Sequence, residues 1–262
     1  MGNPFAELST MISPAIMQAY VVLMVILVAA GTLLDVLHKK SAKYFFENAQ
    51  KAEQNREREL SSGEKTNIVL RTVAEDVLTS AEFCNPHRRA AHLMTMYGFV
   101  AFVASSALMI FVYPTSAAPA PEVLIALWYL GALGVCLGGY WFWFFIRVDV
   151  AAEGHPWYRI VKADLFVLSL LATCTFGLLW AIAQSANAGW LTMLLLVAFV
   201  VSTLVLFGGV LWSKFAHMFF KPAAAIQKHI AEADGSRDNL PPPADRPATM
   251  GLGIKRELPR HY

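Results

Sequence analysis

The stretch that decides the fold is AIMQAYVVLMVILVAAGTLLDV, residues Ala15–Val36. A helix that rises about 1.5 Å per residue needs roughly 20 apolar residues to cross the hydrocarbon core of a membrane, and this stretch is long enough. Four later stretches share its length and its lack of charge: Leu93–Val112, Val123–Ile146, Leu165–Ala183 and Trp190–Trp212. The sequence therefore predicts an all-α integral membrane bundle of five transmembrane helices.

The basic residues predict the orientation of that bundle. When the chain is threaded through the five spans, all 21 Lys and Arg residues can be placed on one side. They lie in the segments Lys39–Arg89, Arg147–Lys162 and Lys214–Arg260. Because Lys and Arg are retained in cytoplasmic loops, we expect an inner-membrane protein with its N-terminus outside and its C-terminus in the cytoplasm.

Composition agrees with a membrane protein, since 56% of the residues are hydrophobic and only 15% are charged. These values lie outside the range of soluble globular domains. The basic residues are placed beside anionic lipid headgroups, so we expect no binding of nucleic acid. Three scattered cysteines, without CxxC or CxxCH spacing, predict neither an iron–sulfur cluster nor a c-type haem.

Four regions are expected along the chain. Residues 1–36 form an outer N-terminus and the first span, and residues 37–91 form a cytoplasmic helical loop. Residues 92–232 form a four-helix transmembrane bundle, and residues 233–262 form a disordered cytoplasmic tail. The loops predicted to lie outside are short, so a protein partner would have to bind on the cytoplasmic side.

Two histidines are candidates for a metal-binding site. A bis-histidine b-type haem needs imidazoles on two helices at a similar depth, and His92 and His217 meet that requirement. Four cations that could hold haem propionates lie within about one helical turn of them: Arg88, Arg89, Lys214 and Lys221. The alternative is that these side chains are interfacial and only extend toward lipid phosphates.

Other polar and aromatic residues at the cytoplasmic ends of the helices leave two interpretations open. Asp35 and Asp164 are expected to face the bundle or its inner mouth, in a proton or quinone path or in a salt bridge to Lys39 or Lys162. The aromatic run Tyr140–Phe145 is typical of an interfacial belt, but it lies where a quinone would have to dock.

Two stretches resemble a known family. RRAAHLMTMYGF (residues 88–99) and SKFAHMFFKP (residues 213–222) are similar to motifs of the nitrate-reductase gamma-subunit-like membrane cytochrome b family. That family includes the membrane subunits of quinone-interacting oxidoreductase complexes and relatives of heterodisulfide reductase. The resemblance covers about the second to the fifth helix, and it implies an inner haem on His92 and His217.

The chain departs from the two-haem members of the family. Their second histidine pair lies deeper, and the matching positions in this chain fall near Phe102 and Phe199, which cannot bind iron. The resemblance therefore implies at most one b-type haem. An electron path across the whole membrane is not expected.

Within the family, the short five-helix form resembles the membrane anchors associated with dissimilatory adenylylsulfate reductase of sulfur metabolism. This implies a subunit without catalytic activity of its own. It would hold a soluble iron–sulfur or flavin oxidoreductase at the cytoplasmic face and exchange electrons with quinone. The alternative function is a cofactor-free structural membrane anchor for a soluble complex.

Overall fold

The computed structural model describes residues 2–39, 41–81, 83, 85–150, 153–211, 217–236, 249–250 and 254–255. The chain divides into two compact units. The membrane unit comprises Met1–Leu34 and His87–Phe215, and the second unit comprises Asp35–Pro86 and Ala216–Tyr262.

Helices account for nearly all of the regular structure in the described residues. In chain order they are α1 (Pro4–Leu8), α2 (Pro14–Lys39), α3 (Ser41–Gln54), α4 (Ser62–Thr72), a π-helix (Val73–Leu78), α5 (Pro86–Phe111), α6 (Glu122–Trp141), a second π-helix (Phe142–Ile146), a 3-10 turn (Lys162–Asp164), α7 (Leu165–Ser185), α8 (Trp190–Gly208), a 3-10 turn (Gly209–Leu211) and α9 (His217–Asp234). Two two-residue strands, β1 (Thr249–Met250) and β2 (Ile254–Lys255), pair antiparallel.

Among the described residues, five helices are long and apolar enough to cross a membrane, which confirms the predicted fold class. They are Pro14–His38, Pro86–Phe111, Glu122–Ile146, Lys162–Ser185 and Trp190–Gly208. The chain is thus a multi-pass membrane protein. The second span begins at Pro86, seven residues before the apolar stretch that starts at Leu93, and proline suits the first turn of a helix.

Glycines bring α5 and α6 into backbone contact. A Cβ atom on Gly98 would lie 2.6 Å from the carbonyl oxygen of Gly131, and one on Gly131 would lie 2.7 Å from the amide nitrogen of Phe102. Further along, a Cβ on Gly138 would lie 2.5 Å from the carbonyl oxygen of Ala91. Small residues at an interface let membrane helices gain van der Waals contact that lipid tails cannot provide. The pairings place Ala91 at the level of Gly138.

Side-chain hydrogen bonds fasten α2 to the other helices of the membrane unit. Gln18 Nε2 donates to the carbonyl oxygen of Ile110 at the end of α5, over 3.2 Å. The Tyr20 hydroxyl donates to the carbonyl oxygen of Val200 in α8, over 3.0 Å, and also contacts the Thr203 hydroxyl. Polar contacts between helices help to hold membrane bundles together.

The second unit joins two segments that are distant in sequence. Arg58 Nε donates to the carbonyl oxygen of Ala233 over 2.8 Å. His229 Nε2 on α9 lies 2.8 Å from Asp76 Oδ2 in the first π-helix. These contacts link the segment after the first span to the segment after the last.

The helix α9 runs past Pro222 to Asp234. Pro222 is the sixth residue of α9, so its missing N–H removes only one hydrogen bond close to the helix start. The pair β1–β2 falls in the segment predicted to be a disordered tail. The rest of that segment beyond Ser236 lies outside the described residues, so the prediction of disorder stays a prediction.

A capping box fixes the start of α4 and makes it sensitive to pH. Ser61 N and Oγ both donate to the Glu64 carboxylate, and the Ser61 hydroxyl accepts from Glu64 N. The Ser61 backbone N–H, followed by Arg58, lowers the pKa of Glu64 to about 2. Because the folded pKa lies below the ordinary 4.5, the stabilisation is complete above that value and is lost as the pH falls through about 2.

We expect Glu64→Gln to reduce amide protection in the first turn of α4 at neutral pH. The difference from the native chain should shrink between about pH 4.5 and about pH 2, and then vanish. Hydrogen exchange, corrected for the intrinsic exchange rates at each pH, measures this difference in amide protection. Glu59→Gln serves as the control, because Glu59 lies before the capping box. A difference in amide protection that persists at about pH 2 would contradict the capping role of the Glu64 carboxylate.

Candidate functional site

The two ends of the membrane unit differ in chemistry. At one end α5 begins, α6 ends and α7 begins, and we call it the Arg147 end after the residue that follows the second π-helix. The opposite end carries the short helix α1, and we call it the α1 end. His92, the candidate haem ligand that belongs to the membrane unit, lies toward the Arg147 end.

Arg147 is completely buried and bonded on several sides. Its Nη2 donates to Asp164 Oδ2 over 2.5 Å and to the carbonyl oxygen of Arg159 over 2.7 Å. Its Nη1 donates to the carbonyl oxygen of Pro156 over 3.2 Å, and the guanidinium lies 4.1 Å from the ring centroid of Trp143. A cation above an aromatic face is attracted by the ring's quadrupole. Arg147 therefore ties residues 156–164, which lead into α7, to the end of α6.

Asp164 also stabilises the connection between α6 and α7. Its Oδ2 also accepts from the amide of Val161 over 2.9 Å, at the 3-10 turn that leads into α7. The sequence suggested Lys162 or Lys39 as a salt-bridge partner for such an aspartate, and the structure gives Arg147. The signal available in the sequence was that Arg147 is the first charge after a long apolar run.

His92 lies on α5 near the Arg147 end. It is half-buried, one residue after Ala91, and so near the level of Gly138 on α6. Arg88 and Arg89, the cations predicted to flank it, are also half-buried. Arg88 Nη2 donates to Glu153 Oε1 over 3.2 Å, a contact that the sequence pattern did not predict.

The second half of the predicted haem site lies mostly outside the described residues. Lys214 is not described, and neither is the side chain of His217, the first residue of α9. Lys221 belongs to the second unit, where its Nζ lies 5.1 Å from the ring centroid of Phe83. A pairing of His92 with His217 therefore stays a prediction. In the part of the chain that the structure describes, no group of three or more His, Cys, Asp and Glu could hold a metal ion.

Aromatic rings fill the interior around Phe102 and Phe199, the two positions that the resemblance matched to a deeper histidine pair. The rings of Phe102 and Phe199 are 6.4 Å apart, and Phe102 also lies 5.3 Å from Trp128. Phe199 stacks on Trp180 at 5.7 Å, and Phe5 of α1 lies 5.9 Å from Trp128 and 5.7 Å from Trp180. These five residues, which we call the aromatic core, do not fit a deeper haem.

The helix α1, which the sequence did not predict, closes the aromatic core. Its N-cap Asn3 accepts from the amides of Phe5 and Ala6, and Asn3 Nδ2 donates to the carbonyl oxygen of Tyr113 over 2.8 Å. Gln184 Nε2 donates to the carbonyl oxygen of Pro4 over 2.9 Å. Asn followed by Pro is a helix-start signal that could have revealed this turn.

A groove of about 240 Å³ lies between α6 and α7 at the level of the second π-helix. The polar contact in it joins the hydroxyls of Tyr140 and Thr175 over 2.8 Å. The residues that matter for its chemistry are Tyr140, Trp143, Phe144, Leu171, Thr175 and Phe176. The predicted aromatic run thus supplies one wall of this groove, which we call the α6–α7 groove.

Comparison with known proteins finds no matching protein-family model, no matching curated protein and no matching solved structure.

Proposed function

We propose that this chain is a membrane anchor and electron-transfer subunit that links a soluble cytoplasmic oxidoreductase to the quinone pool. The observation that carries the proposal is the second unit, a helical body outside the membrane spans that is built from two separate charged segments. With the N-terminus outside and the C-terminus inside, this unit lies in the cytoplasm beside the inner membrane. Retention of basic residues in the cytoplasm supports that orientation.

The second unit offers apolar side chains to a partner. Phe46 on α3 and Leu70 on α4 are each 64% exposed, and Leu78 is 48% exposed. A standard protein interface buries about 800 Å² on each partner. The connections at the α1 end, residues 112–121 and 186–189, are too short to supply that area. The partner is therefore expected on the second unit.

The resemblance of the two histidine-containing stretches supports the chemical class of the partner. It favours a soluble iron–sulfur or flavin oxidoreductase, with the adenylylsulfate reductase of sulfur metabolism as the specific candidate. Quinone is the lipid-soluble partner in the same proposal. The chain itself has no catalytic role in this scheme and supplies anchoring and electron exchange.

One b-type haem is part of the proposal, with His92 and His217 as its axial ligands. Arg88, Arg89, Lys214 and Lys221 would neutralise its propionates, and Arg88 would share its charge with Glu153. A haem held there supplies a one-electron carrier. The aromatic core offers no ligand at the α1 end, so electron exchange is confined to the Arg147 end.

Partner binding can be tested with surface substitutions that leave the fold intact. In the variant Phe46→Ser with Leu70→Ser, we expect a soluble flavin or iron–sulfur protein to leave the native membranes during washing. Loss of two exposed apolar contacts from an interface has this effect. The matched control carries Gln50→Ser with Asn67→Ser, which are exposed polar residues on the same two helices.

The distribution of flavin and iron between membranes and supernatant provides the measurement. The control should retain the partner. Equal retention of the partner by both variants would show that the partner does not dock on α3 and α4. The absence of any redox partner from native membranes would contradict the proposal.

A cofactor-free structural anchor is the second candidate function. The buried Arg147–Asp164 pair favours it, because this pair fastens residues that lead into α7 and needs no cofactor to do so. The two candidates differ in whether the purified chain carries haem.

A further inference from the structure

We propose that the α6–α7 groove binds the headgroup of an isoprenoid quinone. This inference rests on the proposed function, in which quinone is the lipid-soluble partner, and it places that partner on named residues. The groove lies wholly within the membrane unit.

The size and walls of the groove suit one flat ring. Its volume of about 240 Å³ is below the roughly 300 to 1,000 Å³ of pockets for drug-sized ligands. The rings of Tyr140 and Phe144 stack with centroids 6.1 Å apart and an interplanar angle of 17°. Tyr140 and Phe144 are 38% and 45% exposed, so a molecule dissolved in the membrane can reach them. Flat aromatic walls favour a planar ring over a flexible acyl chain.

Tyr140 and Thr175 line the groove, and Cys136 lies beside it in contact with Thr175. Together these three side chains carry one donor hydrogen more than their mutual contacts use. Tyr140, Thr175 and Cys136 carry three donor hydrogens, one on each side chain. Two contacts join them: Tyr140 to Thr175 over 2.8 Å, and Cys136 to Thr175 over 3.6 Å. One hydrogen is therefore left over, and when Cys136 donates to Thr175 and Thr175 donates to Tyr140, it is the tyrosine's.

A spare donor at membrane depth calls for an acceptor, because the hydrocarbon region offers no water. Tyr140 lies seven residues before Arg147, which is about 10 Å along a helix and thus on the hydrocarbon side of that charge. A quinone carbonyl is an acceptor carried on a flat ring. The groove supplies both the donor and the matching walls.

The groove adjoins the second π-helix and the buried ion pair. Its wall includes residues of the π-helix Phe142–Ile146, which ends α6, and π-helical turns are frequent at functional sites. Trp143, which also lines the groove, lies against the guanidinium of Arg147, whose charge is balanced by Asp164. The groove also lies near the level of His92.

The test uses the full chain in phosphatidylcholine nanodiscs and an azido-substituted decylubiquinone as photoreactive probe. We expect labelling of peptides that contain Tyr140 or Thr175, and displacement of the probe by unlabelled decylubiquinone but not by added phospholipid. Tyr140→Phe keeps the ring and removes the donor, so it should weaken probe binding about five- to tenfold, the value of one hydrogen bond. Tyr97→Phe, an exposed tyrosine on α5, should leave binding unchanged.

Three results would overturn the inference: no label in these peptides, equal displacement by phospholipid, or unchanged binding in Tyr140→Phe. The proposed function is tested separately, by whether native membranes retain the redox partner. Partner retention without labelling removes only the quinone site. Labelling without any partner supports the site and removes the docking function.

Discussion

Replacing Arg147 with methionine should destabilise the membrane unit by about 3 to 5 kcal/mol, the usual cost of removing one partner from a buried ion pair. Arg147 is fully buried, and methionine fills a similar volume without charge. The Asp164 carboxylate and the carbonyl groups of Pro156 and Arg159 then lose the guanidinium as a donor, and the carboxylate loses its counter-charge. Equilibrium unfolding of the purified chain in mixed detergent micelles measures the change.

Arg159→Met is the control for this experiment, because Arg159 lies exposed in the same connection. It should change the free energy of unfolding by less than about 0.5 kcal/mol, as surface substitutions usually do. The double variant Arg147→Met with Asp164→Leu should recover part of the loss, since an apolar pair often replaces a buried ion pair at little cost. Equal effects of the Arg147 and Arg159 substitutions would show that the buried pair contributes little.

Gly131→Ala should separate α5 from α6 and cost about 1 to 3 kcal/mol, the range for overpacking a close contact. The new Cβ would lie 2.7 Å from the amide nitrogen of Phe102 and 2.8 Å from the carbonyl oxygen of Gly98. Both neighbours are backbone atoms, so no side chain can move aside to relieve the overlap. The same unfolding assay, together with cross-linking between α5 and α6, measures the effect.

Gly208→Ala provides the matched control near the end of α8. Its Cβ would meet only Leu27 Cδ1, at an ordinary contact distance of 3.9 Å. Because alanine also favours the helix over glycine, this variant should be as stable as the native chain or slightly more stable. If both variants behaved alike, the close approach of α5 and α6 would not contribute to stability.

Hydropathy alone predicted the membrane spans, because a long apolar run has few other ways to be buried. It did not give the start of α5, because the apolar stretch begins at Leu93 and the helix begins at Pro86. It did not predict α1, since the five residues Pro4–Leu8 are held by tertiary contacts such as the Asn3–Tyr113 hydrogen bond. Short helices depend on packing more than on intrinsic propensity.

The candidate site was predictable only in part. Phe102 and Phe199 were expected at corresponding depths on two helices, and the structure places their rings in contact. The partner of Asp164 was not predictable, because Lys162 is nearer in sequence and the choice of Arg147 depends on how the connection folds back. The role of Tyr140 likewise depends on Thr175, which lies on another helix.

The haem content of the purified full-length chain, made with adequate haem supply, tests the proposed electron-transfer role most directly. A pyridine haemochrome assay with a dithionite-reduced minus oxidised spectrum should show one b-type haem per chain. His92→Ala and His217→Ala should each remove it, while His38→Ala and His155→Ala should retain it, because neither of these two histidines belongs to the predicted ligand pair. A chain without haem would contradict the electron-transfer role and leave the structural anchor, and two haems per chain would contradict the assignment of the aromatic core.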